Sequence, residues 1–319
     1  MQKKTIALLS GGISPEREVS LNSGAQVYDA LDKDKYHVVR YDPKTDLARL
    51  VADAPDIDAA LIILHGPYGE DGTIQGMLDL LQIPYQGSGV LGSAVAMDKV
   101  VAKQLYDSAG IPTPPDVAIN RGDRIDPADI VSRLGLPLVV KPARDGSSIG
   151  MSIVRDTGTL APALEKAFRQ GPTVLVEAFV EGIEITGGVL GNDDLEALPL
   201  IEIVPDPSRD FFDYKAKYTA GVTREICPAR IDAVLTEKAQ HLALAAHQAL
   251  FCRGYSRTDM ILVDETFFVL ETNTIPGMTA TSLLPQAAAK AGYSFSRLMD
   301  RLIDLAIEDH QARTRPAEK

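Results

Sequence analysis

The chain predicts an α/β protein whose first third is a parallel sheet. Apolar runs of strand length alternate with helical patterns there, and the strands end in glycine-bearing loops. At 319 residues the sequence is long enough for two or three domains with cores of their own. Hydrophobic residues make up 45% and charged residues 24%, the profile of a globular protein.

Thr5–Leu9 reads as a buried strand running into Ser10-Gly11-Gly12, and a helix follows over about Val19–Leu31. His37–Tyr41 and Ala59–Leu64 are the next strands. Thr73–Leu81 is helical, with Ile74, Met77, Leu78 and Leu81 on one face. A parallel sheet gathers functional groups at its strand C-termini, where His65 and the loop Gly66–Gly72 sit. Glu16 lies in the loop after the first strand, and local sequence reads it as a first-turn charge favoured by the helix dipole. The dinucleotide fingerprint GxGxxG is absent, so a nicotinamide oxidoreductase has only the βαβ start in its favour.

A boundary lies near Gly87-Ser88-Gly89, followed by a helix over Met97–Ala109. Ile111-Pro-Thr-Pro-Pro115 cannot continue it and reads as a stiff extended connector. Leu136–Val140 is a strand that delivers Lys141. Asp145-Gly-Ser-Ser-Ile-Gly150 and a return strand, Met151–Val154, follow at once. A Gly/Ser loop between strands can fold over a polyphosphate, and the adjacent lysine supplies a point charge for it. GxxxxGK[ST] occurs nowhere, which argues against a P-loop enzyme. Thr173–Val176 is a strand, and Glu177–Gly182 reads as a hinge whose cleft could hold an adenine ring.

In the last third, Pro205–Pro228 shows little regular pattern and reads as a lid, centred on Phe211-Phe-Asp-Tyr-Lys-Ala-Lys-Tyr218. Glu237–Phe251 is an amphipathic helix on which His241 and His247 have structural or solvated roles. Met260–Val263 and Phe267–Leu270 flank Asp264-Glu265-Thr266, which reads as a hairpin with a three-residue turn. That turn sets Val263 opposite Phe267 and Asp259 opposite Glu271, with Asn273 on the face of Glu271. Two carboxylates and an amide oxygen then converge, an arrangement suited to Mg²⁺ with phosphate oxygens completing its shell. Arg257 points to the same face and could meet a negatively charged transition state.

The net charge of −12 argues against nucleic acid or an anionic membrane as partner. Cys227 and Cys252 form no CxxC motif and read as reduced core thiols, which fits a cytoplasmic protein. The N-terminus does not read as a signal peptide, and no apolar run approaches the roughly 20 residues of a membrane span.

Pro15-Glu-Arg-Glu-Val-Ser-Leu-Asn-Ser-Gly24, His65-Gly66, Gly69-Glu-Asp-Gly-Thr-Ile-Gln-Gly76, Met97-Asp-Lys99, Val140–Ser152, Asp213–Tyr218, Arg257-Thr-Asp259 and Glu271–Thr279 together resemble the D-alanine–D-alanine ligase family of the ATP-grasp superfamily. The resemblance spans nearly the whole chain in the family's order. It implies a three-unit ATP-grasp architecture with a Rossmann-like N-terminal domain: 1–98, 99–183 and 184–319. It also implies a cytoplasmic homodimer that uses ATP as co-substrate to make D-alanyl-D-alanine for peptidoglycan.

By the same resemblance, Lys99, Lys141, Ser147, Ser148, Glu177, Val180, Glu184 and Lys217 bind ATP. Asp259, Glu271 and Asn273 match ligands of two Mg²⁺ ions, with Mn²⁺ as a substitute. Arg257 and the Gly277 N–H match oxyanion stabilisers. Glu16 would hold the ammonium of the first D-alanine with His65 nearby, and Ser282 the carboxylate of the second. Lys217 would reach the phosphate, while Tyr218, Ser147 and Glu16 would close the lid through hydrogen bonds. Ala178 departs from the family, where a long polar side chain often stands beside the adenine. Pro67-Tyr68 is also bulkier than the pair in some members. The rival readings are a D-alanine–D-lactate ligase, against which Tyr218 argues, and a non-catalytic nucleotide-binding regulator.

Overall fold

Strands β1 (Lys4–Ser10), β2 (Tyr36–Tyr41) and β3 (Ala59–Ile63) form a parallel sheet in the order β2-β1-β3, crossed by α1 (Arg17–Ala30) and α2 (Leu47–Asp53). The computed structural model describes residues 3–144, 149–205 and 223–315. Ile6 to Leu9 are wholly buried, as strands covered on both faces must be. Ser10 pairs with Ile63, so the loops that follow β1 and β3 emerge side by side. Helix α3 (Thr73–Leu80) lays Ile74 and Leu78 into this core, with Met77 and Leu81 packed against it.

The helix expected over Met97–Ala109 is α5 (Lys99–Ser108), and a helix not read from the sequence, α4 (Val90–Met97), precedes it. Asp98 divides them by leaving helical geometry and accepting hydrogen bonds from the Val100 and Val101 N–H groups. The connector beyond is extended, and its carbonyls are all the more useful because proline donates nothing. Val269 N–H donates to Pro112 O at 2.8 Å, and Ala178 N–H to Pro115 O at 2.9 Å.

The second sheet is antiparallel, in the order β4-β7-β5-β6. Its strands are β4 (Asp116–Asn120), β5 (Leu138–Pro142), β6 (Ser152–Val154) and β7 (Thr173–Ala178), with helices α6 (Pro127–Leu134) and α7 (Leu160–Phe168). β5 starts two residues later than expected and ends two later. Pro137 has no N–H for the ladder, so pairing begins at Leu138 and carries Lys141 within the strand.

The third sheet is antiparallel, in the order β11-β10-β8-β12-β13, with β9 beside β8. It comprises β8 (Ile183–Gly191), β9 (Glu196–Ala197), β10 (Ile201–Pro205), β11 (Thr223–Ile226), β12 (Gly254–Val263) and β13 (Thr266–Asn273). The segment read as irregular from Pro205 to Pro228 is therefore ordered into a ladder at both described ends, with Val204 paired to Arg224. Helix α8 (Ala233–Ala249) begins four residues before the expected Glu237, because the Asp232 side chain accepts the Leu235 N–H at 2.8 Å. Helices α9 (Leu283–Lys290) and α10 (Phe295–Thr314) complete the described chain. Leu298, Leu302 and Ile303 of α10 share one core with Ile6, Leu8 and Leu61 of the first sheet. Among the described residues no helix is long and apolar enough to cross a membrane. Both cysteines are free thiols, Cys227 and Cys252 each packed against a core.

Candidate active site

Glu16 caps α1 from the loop after β1, and it is buried at 5% exposure. It sits at the N-terminus of α1, where the helix dipole favours its charge, but its burial was not legible from local sequence. Its carboxylate faces the loop after β3 so closely that a Cβ on Gly66 would come within 2.7 Å of Glu16 Oε2; Gly66 is also in the left-handed region, at φ +71°. Ser14 ties the two loops together: its hydroxyl donates to His65 O at 2.7 Å and accepts the Glu16 N–H at 3.2 Å. His65 Nδ1 meets Glu70 at 3.3 Å, while its buried Nε2 has no partner among the described residues. Arg17 and Asp42 brace this loop by a two-point ion pair at 3.0 and 2.6 Å, with Asp42 also accepting the Gly12 N–H. The Arg17 guanidinium holds the Asp42 carboxyl down to about 2.

At the hinge between the second and third sheets, Glu177 is buried on β7 between two ammonium groups. Lys141 Nζ on β5 lies 2.5 Å from one of its oxygens and Lys103 Nζ on α5 lies 2.7 Å from the other. Burial alone would push the Glu177 carboxyl up, but Lys141 and Lys103 together hold it below its ordinary value. Val180 is half-buried in the short crossing from β7 to β8, and Glu184 lies on β8 just beyond it. Ala178 ends β7 with no polar side chain to offer the cleft, as its sequence implies.

The β12–β13 hairpin differs from expectation at its tip. Val263 pairs with Thr266, so the turn has two residues, Asp264 and Glu265, with Asp264 in the left-handed region at φ 51°. The register then shifts by one residue between Met260 and Asp259, and Asp259 regains Glu271 as its partner while Arg257 faces Asn273. Arg257 grips Asp259 through two bonds of 2.9 and 2.7 Å, and Thr186 donates to the same carboxylate at 2.6 Å. Lys99 Nζ lies 3.2 Å from Glu271. Both carboxylates attract cationic groups, so the donor set fits a cation. Among the described residues no cluster of three His, Cys, Asp or Glu side chains could hold a metal. Asn273 would add an amide oxygen as third donor, and a set of so few protein ligands would suit Mg²⁺, which keeps water or phosphate oxygens.

One face of α5 reaches both sheets. Lys99 and Lys103 stand one helical turn apart, and Tyr106 below them donates to Thr272 Oγ1 at 2.7 Å. Thr272 lies between Glu271 and Asn273, so this bond steadies the strand that carries them. Beyond β13, Ser282 caps α9 and its hydroxyl accepts the Thr279 N–H at 3.1 Å; a Cβ on Gly277 would lie 3.1 Å from that oxygen. Gly277 and Ser282 are thus neighbours. Ser147, Ser148, Lys217 and Tyr218 lie outside the described residues. A cavity of about 180 Å³ adjoins this site, lined by Ser14 and His65 together with Ile13, Leu47, Tyr68 and Met77. No Asp, Glu, Lys or Arg lines it, which suits neither a polyphosphate nor a zwitterion.

The described "D-ala D-ala ligase C-terminus" family matches residues 105–304 and the "D-ala D-ala ligase N-terminus" family residues 43–88. A D-alanine–D-alanine ligase of Syntrophobacter fumaroxidans is 64% identical over 97% of this chain and 99% of its own length. The chain belongs to the D-alanine–D-alanine ligase family. A second ligase of that name, from Desulfotalea psychrophila, is 54% identical over 96% of each chain. Among solved structures, the Bacillus anthracis D-alanine–D-alanine ligase complexed with ATP superposes with a TM-score of 0.85 at 36% identity, over 97% of this chain and 99% of that one. A D-Ala:D-Ser ligase of Enterococcus faecalis gives 0.82 at 34% identity, over 96% and 100%. The ATP-grasp fold read from the sequence motifs is that of the family.

Sequence reasoning missed Lys103, Thr186, Tyr106 and the Arg17–Asp42 brace. Lys103 carried a signal, its spacing of four from Lys99, but its partner Glu177 is 74 residues away.

Proposed function

We propose that the chain joins two D-alanine molecules into D-alanyl-D-alanine at the expense of ATP, supplying peptidoglycan synthesis in the cytoplasm. The observation that carries this reading is the convergence of Arg257, Asp259, Glu271 and Asn273 on one face of a hairpin, beside a lysine-flanked hinge. The first D-alanine binds by its ammonium at Glu16, with His65 nearby. Its carboxylate oxygen attacks the γ-phosphorus of ATP, the bond from that phosphorus to the β-phosphate oxygen breaks, and ADP leaves as the acyl phosphate forms. The free amine of the second D-alanine, held by its carboxylate at Ser282, then attacks the acyl carbon. The tetrahedral oxyanion is met by Arg257 and the Gly277 N–H, and it collapses with release of phosphate and an amine proton.

Lys99 and Lys141 orient the phosphates, and Glu177, Val180 and Glu184 take the adenine and ribose. Asp259, Glu271 and Asn273 would hold Mg²⁺, which neutralises charge on the phosphoryl group when bound. In this reading Ser147 and Ser148 cover the phosphates, Lys217 reaches the γ-phosphate, and Tyr218 closes the lid. The units 1–98, 99–183 and 184–319 serve as substrate, nucleotide and metal units, in a homodimer.

The test is incubation of the purified protein with ATP, Mg²⁺ and D-alanine. Equal amounts of ADP, phosphate and D-alanyl-D-alanine are expected, and phosphate release without dipeptide would overturn the reading. Offering D-serine or D-lactate as acceptor tests the alternatives. Sedimentation at several concentrations tests the dimer.

A further inference from the structure

Lys103 is 6% exposed, and its ammonium touches three oxygens: Pro114 O at 2.6 Å, Glu177 Oε1 at 2.7 Å and Asp116 Oδ1 at 3.1 Å. A buried lysine is held only where such partners replace water. Asp116 and Glu177 face each other directly across the β4–β7 pair, an arrangement of like charges that opposes pairing. Lys103 lies between them and removes that conflict. The other oxygen of Glu177 is held by Lys141. Glu177 therefore divides its single negative charge between two ammonium groups.

That division bears on Lys141. If Lys103 were neutral, Glu177 would have one cationic partner, and its charge would be spent on the lysine that faces the cleft. We propose that Lys103 is a positioning residue for nucleotide binding: by occupying one oxygen of Glu177, it leaves Lys141 with positive charge to offer the ATP phosphates. This rests on the reading above that Lys141 and Glu177 face ATP. Lys103 itself, enclosed by Pro114, Asp116 and Glu177, touches no substrate.

The effect is electrostatic and reaches the ligand through Lys141, so it has a signature that packing does not share. Loss of the Lys103 charge weakens ligands that carry phosphates and spares adenosine. It raises KM for ATP and leaves KM for D-alanine and kcat near wild type. It also vanishes in a background that already lacks the Lys141 charge.

The experiment compares full-length wild type, Lys103→Met, Lys103→Gln, Lys141→Met and the double variant Lys103→Met/Lys141→Met. ATP, ADP and adenosine are titrated by calorimetry with Mg²⁺ present, and KM and kcat are measured for both substrates. Lys103→Met is expected to weaken ATP and ADP on the order of ten- to a hundredfold, with adenosine unchanged and little further loss in the double variant. Lys103→Gln keeps a donor for the Pro114 carbonyl without the charge, and it should show the same selective loss where the methionine variant fails to fold. Equal losses for adenosine and ATP, or losses additive with Lys141→Met, would overturn the proposal. So would unfolding of both Lys103 single variants, which makes Lys103 a folding residue. A wild-type protein that binds no ATP would sink the proposed function itself. Normal ATP binding by wild type and by the Lys103 variants, with Lys141→Met weakened, would sink only the role of Lys103.

Discussion

Asp259 stands opposite Glu271 although the two ends of their hairpin are out of register by one residue. Met260 pairs with Val269, and both are wholly buried in the core beneath α8, as is the nearby Phe267. Simple alternation from Val269 would turn Leu270 outward and Glu271 inward, into that core. The bulge at Leu270 absorbs one residue, so Glu271 and Asn273 emerge on the face of Arg257 and Asp259. Thr272, turned inward, meets Thr258 at 2.9 Å.

Replacing Glu271 with Gln removes one of two carboxylates from that face while keeping its shape. Turnover is expected to fall by about 10²-fold or more, and half-maximal activity to require more Mg²⁺. Circular dichroism should be unchanged. Wild-type turnover and Mg²⁺ dependence in a folded variant would remove Glu271 from the metal set.

Arg257→Ala addresses the chemical step. The loss of one oxyanion donor costs on the order of 10²–10³ in kcat, with ATP affinity by titration staying near wild type. The variant also strips Asp259 of its two-point partner, so Arg257→Lys serves as control. A collapse of ATP binding with intact chemistry would reassign the residue to the nucleotide.

Asp42 links acid stability to the loop that carries Glu16. Its folded carboxyl titrates at about 2 against an ordinary value of 3.8, chiefly through Arg17. A lowered carboxyl stabilises the fold above the unfolded value, and that contribution is lost as pH falls through the folded one. Asp42→Asn should therefore have a lower Tm than wild type at neutral pH. The gap should narrow as pH falls from about 4 toward 2. A gap independent of pH would show that the ion pair carries no net stability.

His247 is buried on α8 with Nδ1 at 2.7 Å from Ser256 Oγ, and burial lowers its pKa to about 4. In the unfolded chain the ring takes its proton near 6.5, so stability falls as pH drops from 6.5 toward 4. Its ring resonances should report a neutral imidazole at pH 6, and His247→Gln should flatten the slope of Tm against pH in that window. A midpoint near 6.5 in the folded protein would contradict the burial.

The first sheet was legible because each strand is a short apolar run; Thr5–Leu9 and Ala59–Leu64 need no tertiary information, whereas the seven-residue α2 (Leu47–Asp53) was not read. The Asp259–Glu271 pair was legible for a less secure reason. The assumed three-residue turn and the unseen bulge displace the register by the same amount, so the expected partners meet by a different route. Asp98 was missed because helical periodicity continues across it, and a cap is a change of backbone direction at one residue. The burial of Glu16 and the sharing of Glu177 between two lysines depend on chain segments far apart in sequence. Local pattern carries neither.

The shared face of α5 also acts as a ruler. Four residues of α-helix rise about 6 Å, and that length separates the lysine that meets Glu271 in one sheet from the lysine that meets Glu177 in another. Inserting a single residue between Lys99 and Lys103 would swing one of them about 100° around the axis, away from its carboxylate. Changing Lys103 itself alters a charge, whereas changing the count of residues between the lysines alters a distance, and the two sheets would no longer agree on where the helix lies.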